Sequence, residues 1–310
     1  MIQKGIKMQK KNFTNTIWVM LSALLCTALW GSATPFIKTG YECLKIVGTP
    51  SIIFFAGIRF ALAGIITIII YSIIERKVLY PKKKSFKYVG IISVFQTILQ
   101  YLFFYIGLAN TSGVKGTILS GSSAFFSIFV ATLIFRQEKL TVKKIVACII
   151  GFLGVVVVNL KGLELNLNFF GDAFVIFSAI SLAFSSVLMK IYSKEENPVV
   201  LSGYQFVVGG MVMIVIGYIL GGSISPDSLK GIAILTYLAF LSAVAYALWG
   251  MLLKYNPVSK VTIFSFMTPV FGVILSKLML TESSNVSTGN VLIALALICA
   301  GIFMLNYQKK

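Results

Sequence analysis

Apolar residues in this chain come in ten long runs divided by short polar joints. The runs lie near 17–37, 49–74, 86–108, 111–135, 143–160, 170–190, 200–221, 231–250, 259–280 and 287–306. Each is long enough to cross about 30 Å of hydrocarbon as a helix. The tightest joints fall near Asn110 and at Asn256-Pro257. The first run follows a basic leader (Lys4, Lys7, Lys10, Lys11), as a secretory signal would. Nine further runs and the lack of a convincing cleavage site make it a first helix instead. The pattern predicts an all-α integral membrane protein with ten transmembrane helices.

Composition agrees. Apolar residues make up 58% of the 310 positions and charged residues 12%, against roughly 25% charged in a soluble domain. A net charge of +18 would suggest nucleic acid in a soluble protein. Here the cations sit in the joints, where cytoplasmic loops collect Lys and Arg, so no nucleic-acid partner is expected. With the N-terminus in the cytoplasm, twenty loop and terminal cations face inward, and Lys38, Lys45, Lys161 and Lys230 face outward. An odd number of crossings would scramble that alternation. The prediction is a multi-pass protein of the cell membrane with both termini cytoplasmic. The chain has no histidine, and its four cysteines lack metal-like spacing; nothing calls for a metal or cofactor.

The two halves repeat. GIRFALAG at 57–64 aligns with GYQFVVGG at 203–210, matching Gly57 with Gly203, Phe60 with Phe206 and Gly64 with Gly210 at an offset of 146. YLFFYIGLANTSGVKGTILS at 101–120 aligns with YALWGMLLKYNPVSKVTIFS at 246–265, matching Tyr101 with Tyr246 and Lys115 with Lys260 at an offset of 145. The predicted organisation is a basic leader (1–16), a first five-helix repeat (17–160), an external linker (161–169), a second five-helix repeat (170–306) and a basic tail (307–310). Five crossings per half invert the second half. That is the plan of secondary transporters, whose substrate site lies near mid-bilayer where the halves meet.

ALWGSATPFIKTG (28–40), FFAGIRFALAG (54–64), FRQEKLTVKKIVACIIGFLGVVVVN (135–159) and FSFMTPVFGVILSKLMLTE (264–282) resemble the drug/metabolite transporter superfamily, in particular its EamA-like ten-span members. The likeness covers about 17–306. It implies two inverted five-helix repeats around a cavity lined by spans 1, 3, 4, 6, 8 and 9. Known relatives move amino acids, sugars, nucleotide-linked compounds or cationic drugs, many as exporters or exchangers. One departure is Ala124 in the fourth span where the ninth carries Pro269; either gating is asymmetric or the first half is straighter. Glu138 and Glu282 occupy the family's acidic position after those spans, where a cap or salt bridge is expected.

Arg59 is the sharpest single residue, about ten positions into span 2, with Gln205 as its repeat mate. A charge at that depth is costly unless paired or hydrated. It either meets a substrate carboxylate or holds carbonyls as a strut. Lys115 opens span 4 against the helix dipole and either draws an anionic ligand or snorkels to headgroups. Trp30, Tyr101, Tyr105, Tyr246 and Trp249 offer stacking faces within apolar spans, and Gln96 and Gln100 share one helix face. Belt or packing roles are the bland alternatives for these groups. Pro35 and Pro269 are the helix-break or gating candidates.

These features favour a secondary transporter of small metabolites. An enzyme would show surface clusters of Asp, His or Cys; a channel remains a runner-up. Arg59 and Lys115, with no deep acid, lean toward a carboxylate-bearing solute such as an amino acid. A sugar, nucleoside or cationic drug is the alternative. The expected partners are a small-molecule substrate and the lipid bilayer, with proton or counter-substrate coupling left open, as is monomer or dimer.

Overall fold

The computed structural model describes residues 13–160, 168–279 and 287–306. Most of the leader, the linker stretch 161–167, Glu282 and the tail 307–310 lie outside the described residues. Ten long helices account for nearly all the rest: α1 (Thr16–Cys43), α2 (Gly48–Ile74), α3 (Ser85–Ala109), α4 (Gly113–Ile134), α5 (Val142–Val158), α6 (Phe169–Tyr192), α7 (Pro198–Ile219), α8 (Leu229–Tyr255), α9 (Val258–Met279) and α10 (Thr288–Asn306). Nine are long and apolar enough to cross a membrane. The tenth, α5, has 17 residues and reaches about 25 Å, the lower limit for a span.

Short polar side chains start these helices by satisfying their first free N–H groups. Asn15, Ser112, Thr141, Asn168, Asn197 and Ser228 each accept a backbone N–H from the turn they open. Pro198 follows Asn197 at the first helical position, where its missing N–H costs nothing. The α3–α4 joint falls at Asn110 and the α8–α9 joint at Asn256-Pro257, where the sequence places them. Helix α1 runs six residues past the predicted end at 37, to Cys43, because Gly40 still packs on Ile234.

The halves interlock as a two-fold pair. Helix α2 packs along its mate α7, and α5 along α10. Helix α1 lies against α8 and α9, while its mate α6 lies against α3 and α4. Residue contacts obey the same exchange. Gly57 backs onto Gly210, and Gly64 onto Gly203; swapping mates turns one contact into the other. Phe60 stacks on its mate Phe206, with centroids 5.1 Å apart and planes 10° apart. At the α5–α10 contact, Gly154 meets the Ala294 carbonyl, and Gly301, 147 positions on, meets that of Ala147. Glycines are needed at the α2–α7 crossing because the backbones nearly touch. A Cβ on Gly64 would lie 2.5 Å from the Gly203 carbonyl oxygen.

Both proline candidates attend the α1–α9 contact. Pro35 lies inside α1, which stays helical from Thr16 to Cys43. Gly31, whose carbonyl would have accepted the bond proline cannot give, packs against Phe271 and Gly272 of α9. Pro269 follows a tight 3-10 stretch, Ile263–Phe266, that interrupts α9. Its counterpart α4, with Ala124 in place of the proline, is interrupted as well. Its α-helical turns break at Ser122, and it ends in a π-helical stretch, Val130–Ile134.

Candidate functional site

The candidate binding residues, Lys115 excepted, gather where α1, α2, α3, α6, α7 and α8 converge. Arg59 lies in α2 and is 4% exposed. Its Nη2 and Nε donate to the Ser242 hydroxyl of α8 at 2.9 and 3.3 Å. The guanidinium also lies 5.0 Å from the Phe60 ring centre, an attractive placement for a cation. Among the described residues, no carboxylate forms an ion pair with Arg59.

The second half repeats this contact in neutral form. Gln205, the mate of Arg59, accepts a 2.7 Å bond from the hydroxyl of Thr97, and Thr97 lies 145 positions before Ser242. Two equivalent hydroxyls therefore serve an arginine on one side of the axis and a glutamine on the other. Gln205 is fully buried, and its Nε2 has no partner among the described residues.

Aromatic rings link the two sides. The Tyr101 and Tyr246 hydroxyls, repeat mates, share a 2.8 Å hydrogen bond. Tyr101 lies 4.3 Å from Phe60 and 5.9 Å from Tyr105, centre to centre. Trp30 meets Tyr246 and Trp249 edge-on at 5.0 and 4.9 Å. Its indole N–H and the Gln100 carbonyl oxygen are buried without partners among the described residues. Trp30, Gln96, Tyr246 and Trp249 then border a small cavity closed by Leu182, Ser185, Ser186, Met189, Gly250 and Leu253. About 20 Å³ of it is open to the centre of a water-sized sphere, enough for a water and too little for a metabolite.

The tyrosine bond is testable. Tyr101→Phe and Tyr246→Phe each remove one hydroxyl and keep the ring. Each should cost about 1 kcal/mol of stability, and the double variant less than the sum. Denaturant titration of the purified protein reads this; strict additivity would show that the two hydroxyls do not interact.

Lys115 sits elsewhere. It pairs with Asp172 at the start of α6, Nζ to Oδ2 2.6 Å, and Thr111 donates to the other carboxylate oxygen at 2.7 Å. The pair ties the beginning of α4 to that of α6.

At the opposite end, Glu138 in the α4–α5 loop reaches the start of α9. It accepts from the Ser259 amide at 3.2 Å, from the Ser259 hydroxyl, and from Lys144 at 2.7 Å. It is thus both the cap and the salt bridge expected at this position. Lys190 of α6 donates to the Leu253 and Asn256 carbonyls that end α8, capping a helix C-terminus. Burial raises the Glu138 pKa, but the bonds from Lys144 and Ser259 outweigh it and leave the carboxyl below its ordinary 4.5. A lowered pKa stabilises the fold above the unfolded value and loses that contribution as pH falls through the folded one. Wild-type stability should therefore drop on acidification below about pH 4.5, and Glu138→Gln should flatten that drop. Equal acid sensitivity in a melting series would contradict the assignment.

Sequence reasoning did not single out Thr97, Ser242 or the serines of α6. The spacing of Ser181 and Ser185, one helical turn apart, was the available signal for the last.

A two-fold pair of five-helix bundles with a polar, aromatic centre defines a multi-pass membrane protein of the inverted-repeat transporter class. The EamA-like transporter family matches residues 17–160 and 169–307, and the chain belongs to that family. Relatives include an uncharacterised transporter of Archaeoglobus fulgidus, 25% identical over 87% of this chain and 92% of its own. A chloroplastic WAT1-related protein of Arabidopsis thaliana is 22% identical over 90% of this chain and 67% of its own. A solved crystal structure superposes with a TM-score of 0.74 at 16% identity, covering 92% of this chain and 97% of that one; it supports the fold alone.

Proposed function

We propose that the chain is a secondary transporter that exports or exchanges amino acids or related carboxylate-bearing solutes by alternating access. The observation that carries the substrate class is Arg59. A buried guanidinium whose only polar partner among the described residues is one serine hydroxyl keeps most of its five donors for something else. A carboxylate supplies the missing charge and accepts two of those donors side by side. A cation would be repelled, and a neutral sugar would leave the charge uncompensated. The rings beside Arg59 offer a surface for an amino-acid side chain.

The small cavity fits a closed state in an alternating cycle, with Glu138 and Lys190 at one end and the Lys115–Asp172 pair at the other as the contacts that change. Asp172 is already committed to Lys115 and Thr111, which favours exchange against a counter-substrate over proton coupling. The distribution of loop cations supports placement in the cell membrane with both termini cytoplasmic. A melting screen of purified protein tests the substrate class. At least one of the twenty amino acids should stabilise the protein. Stabilisation by sugars, nucleosides or organic cations, with none by amino acids, would overturn the assignment.

A further inference from the structure

Where the two helices correspond, 85–109 of α3 against 231–254 of its mate α8, α3 holds one residue more, and that residue lies in the site. From Ser85 to Phe95 the two helices correspond at an offset of 146. Exposed Phe86, Lys87 and Val94 then fall on exposed Ile232, Ala233 and Phe240. An offset of 145 would set Phe86 and Val94 on buried positions. From Thr97 onward the offset is 145, fixed by the Thr97–Gln205 and Ser242–Arg59 bonds and by the Tyr101–Tyr246 bond. Phe95 therefore matches Leu241, Thr97 matches Ser242, and Gln96 between them has no counterpart.

The backbone shows how the extra residue is held. Ser93–Leu99 is π-helical, while α8 is α-helical throughout Leu229–Tyr255. A π turn is how a helix absorbs a single insertion, and such turns gather at functional sites. Insertion also disturbs the hydrogen-bond ladder; here the Phe95 carbonyl receives the buried Ser181 hydroxyl of α6 at 2.7 Å. Gln96 is 5% exposed, borders the cavity beside Trp30 and Tyr246, and makes no side-chain hydrogen bond among the described residues.

We infer that Gln96 is an inserted specificity residue whose amide oxygen receives the amino group of an amino acid held by Arg59. This rests on the substrate class proposed above. A carboxylate contact alone accepts any organic acid; a second contact to nitrogen separates amino acids from acids that lack the amino group.

The experiment compares deletion of Gln96, Gln96→Leu and deletion of Ile91 in the full chain. Deleting Gln96 should turn the π stretch into ordinary helix and keep the melting point within a few degrees of wild type, whereas deleting Ile91 should unfold the protein. In proteoliposomes loaded for exchange, each of the twenty labelled amino acids is competed with its des-amino acid. Wild type should prefer the amino acid. Gln96→Leu should lose flux at low concentration by about tenfold, the worth of one buried hydrogen bond, and lose the preference. Equal damage from the two deletions would refute the insertion. Full flux with the preference intact in Gln96→Leu would refute the contact. Absence of all amino-acid flux in wild type would refute the substrate class and the contact with it, leaving the melting comparison to decide the insertion.

Discussion

Arg59→Gln should weaken the proposed amino-acid binding and leave the fold intact. The second half of the protein already shows why the fold tolerates it. Gln205 occupies the equivalent place in α7 and bonds Thr97, the equivalent of Ser242. A glutamine at 59 can bond Ser242 in the same way. The substitution also relieves the cost of a buried charge that has no carboxylate beside it among the described residues. Stability should change by less than about 1 kcal/mol. Binding loses charge-assisted hydrogen bonds worth about 1.5–3 kcal/mol, roughly a 10- to 150-fold rise in Kd. Calorimetric titration of the stabilising amino acid, with a melt of the same sample, reads both quantities. A variant that unfolds while retaining affinity in its folded fraction would make Arg59 a strut instead.

Gly64→Leu should prevent folding, and Gly57→Leu should do the same. Their contacts, Gly57 with Gly210 and Gly64 with Gly203, are exchanged by the two-fold relation, and both face backbone, not a flexible side-chain end. A Cβ on Gly57 would lie 2.6 Å from the Ile214 amide nitrogen, and one on Gly64 2.5 Å from the Gly203 carbonyl oxygen. The helices must separate along their closest contact, at a cost above about 3 kcal/mol. Gly90→Leu is the control, since a Cβ there meets nothing within 4 Å. Yield of monodisperse protein after extraction measures the effect. Equal yields for Gly64→Leu and Gly90→Leu would show that α2 and α7 do not cross where described.

Much of this architecture was legible in the chain. Apolar run length found the ten helices, and the repeat alignment paired Phe60 with Phe206 and Tyr101 with Tyr246, which touch in space. Mates near a two-fold axis must meet, so a repeat found in sequence predicts contacts there. The partners of Arg59 and Lys115 were hidden for a different reason. Ser242 is 183 positions from Arg59, and neither it nor Asp172 differs locally from an ordinary helix residue. The π turn was hidden because one added residue barely changes an apolar run. It emerges only when exposure is compared between mates. The break in α4 at Ser122 had no proline to announce it.

Counterflow in proteoliposomes tests the central claim most directly. Vesicles loaded with an unlabelled amino acid and diluted into a trace of the labelled one should accumulate label transiently above equilibrium, as a carrier with one alternating site requires. Arg59→Gln vesicles should not. Simple equilibration without overshoot would indicate a channel, and no uptake of any of the twenty amino acids would contradict the account.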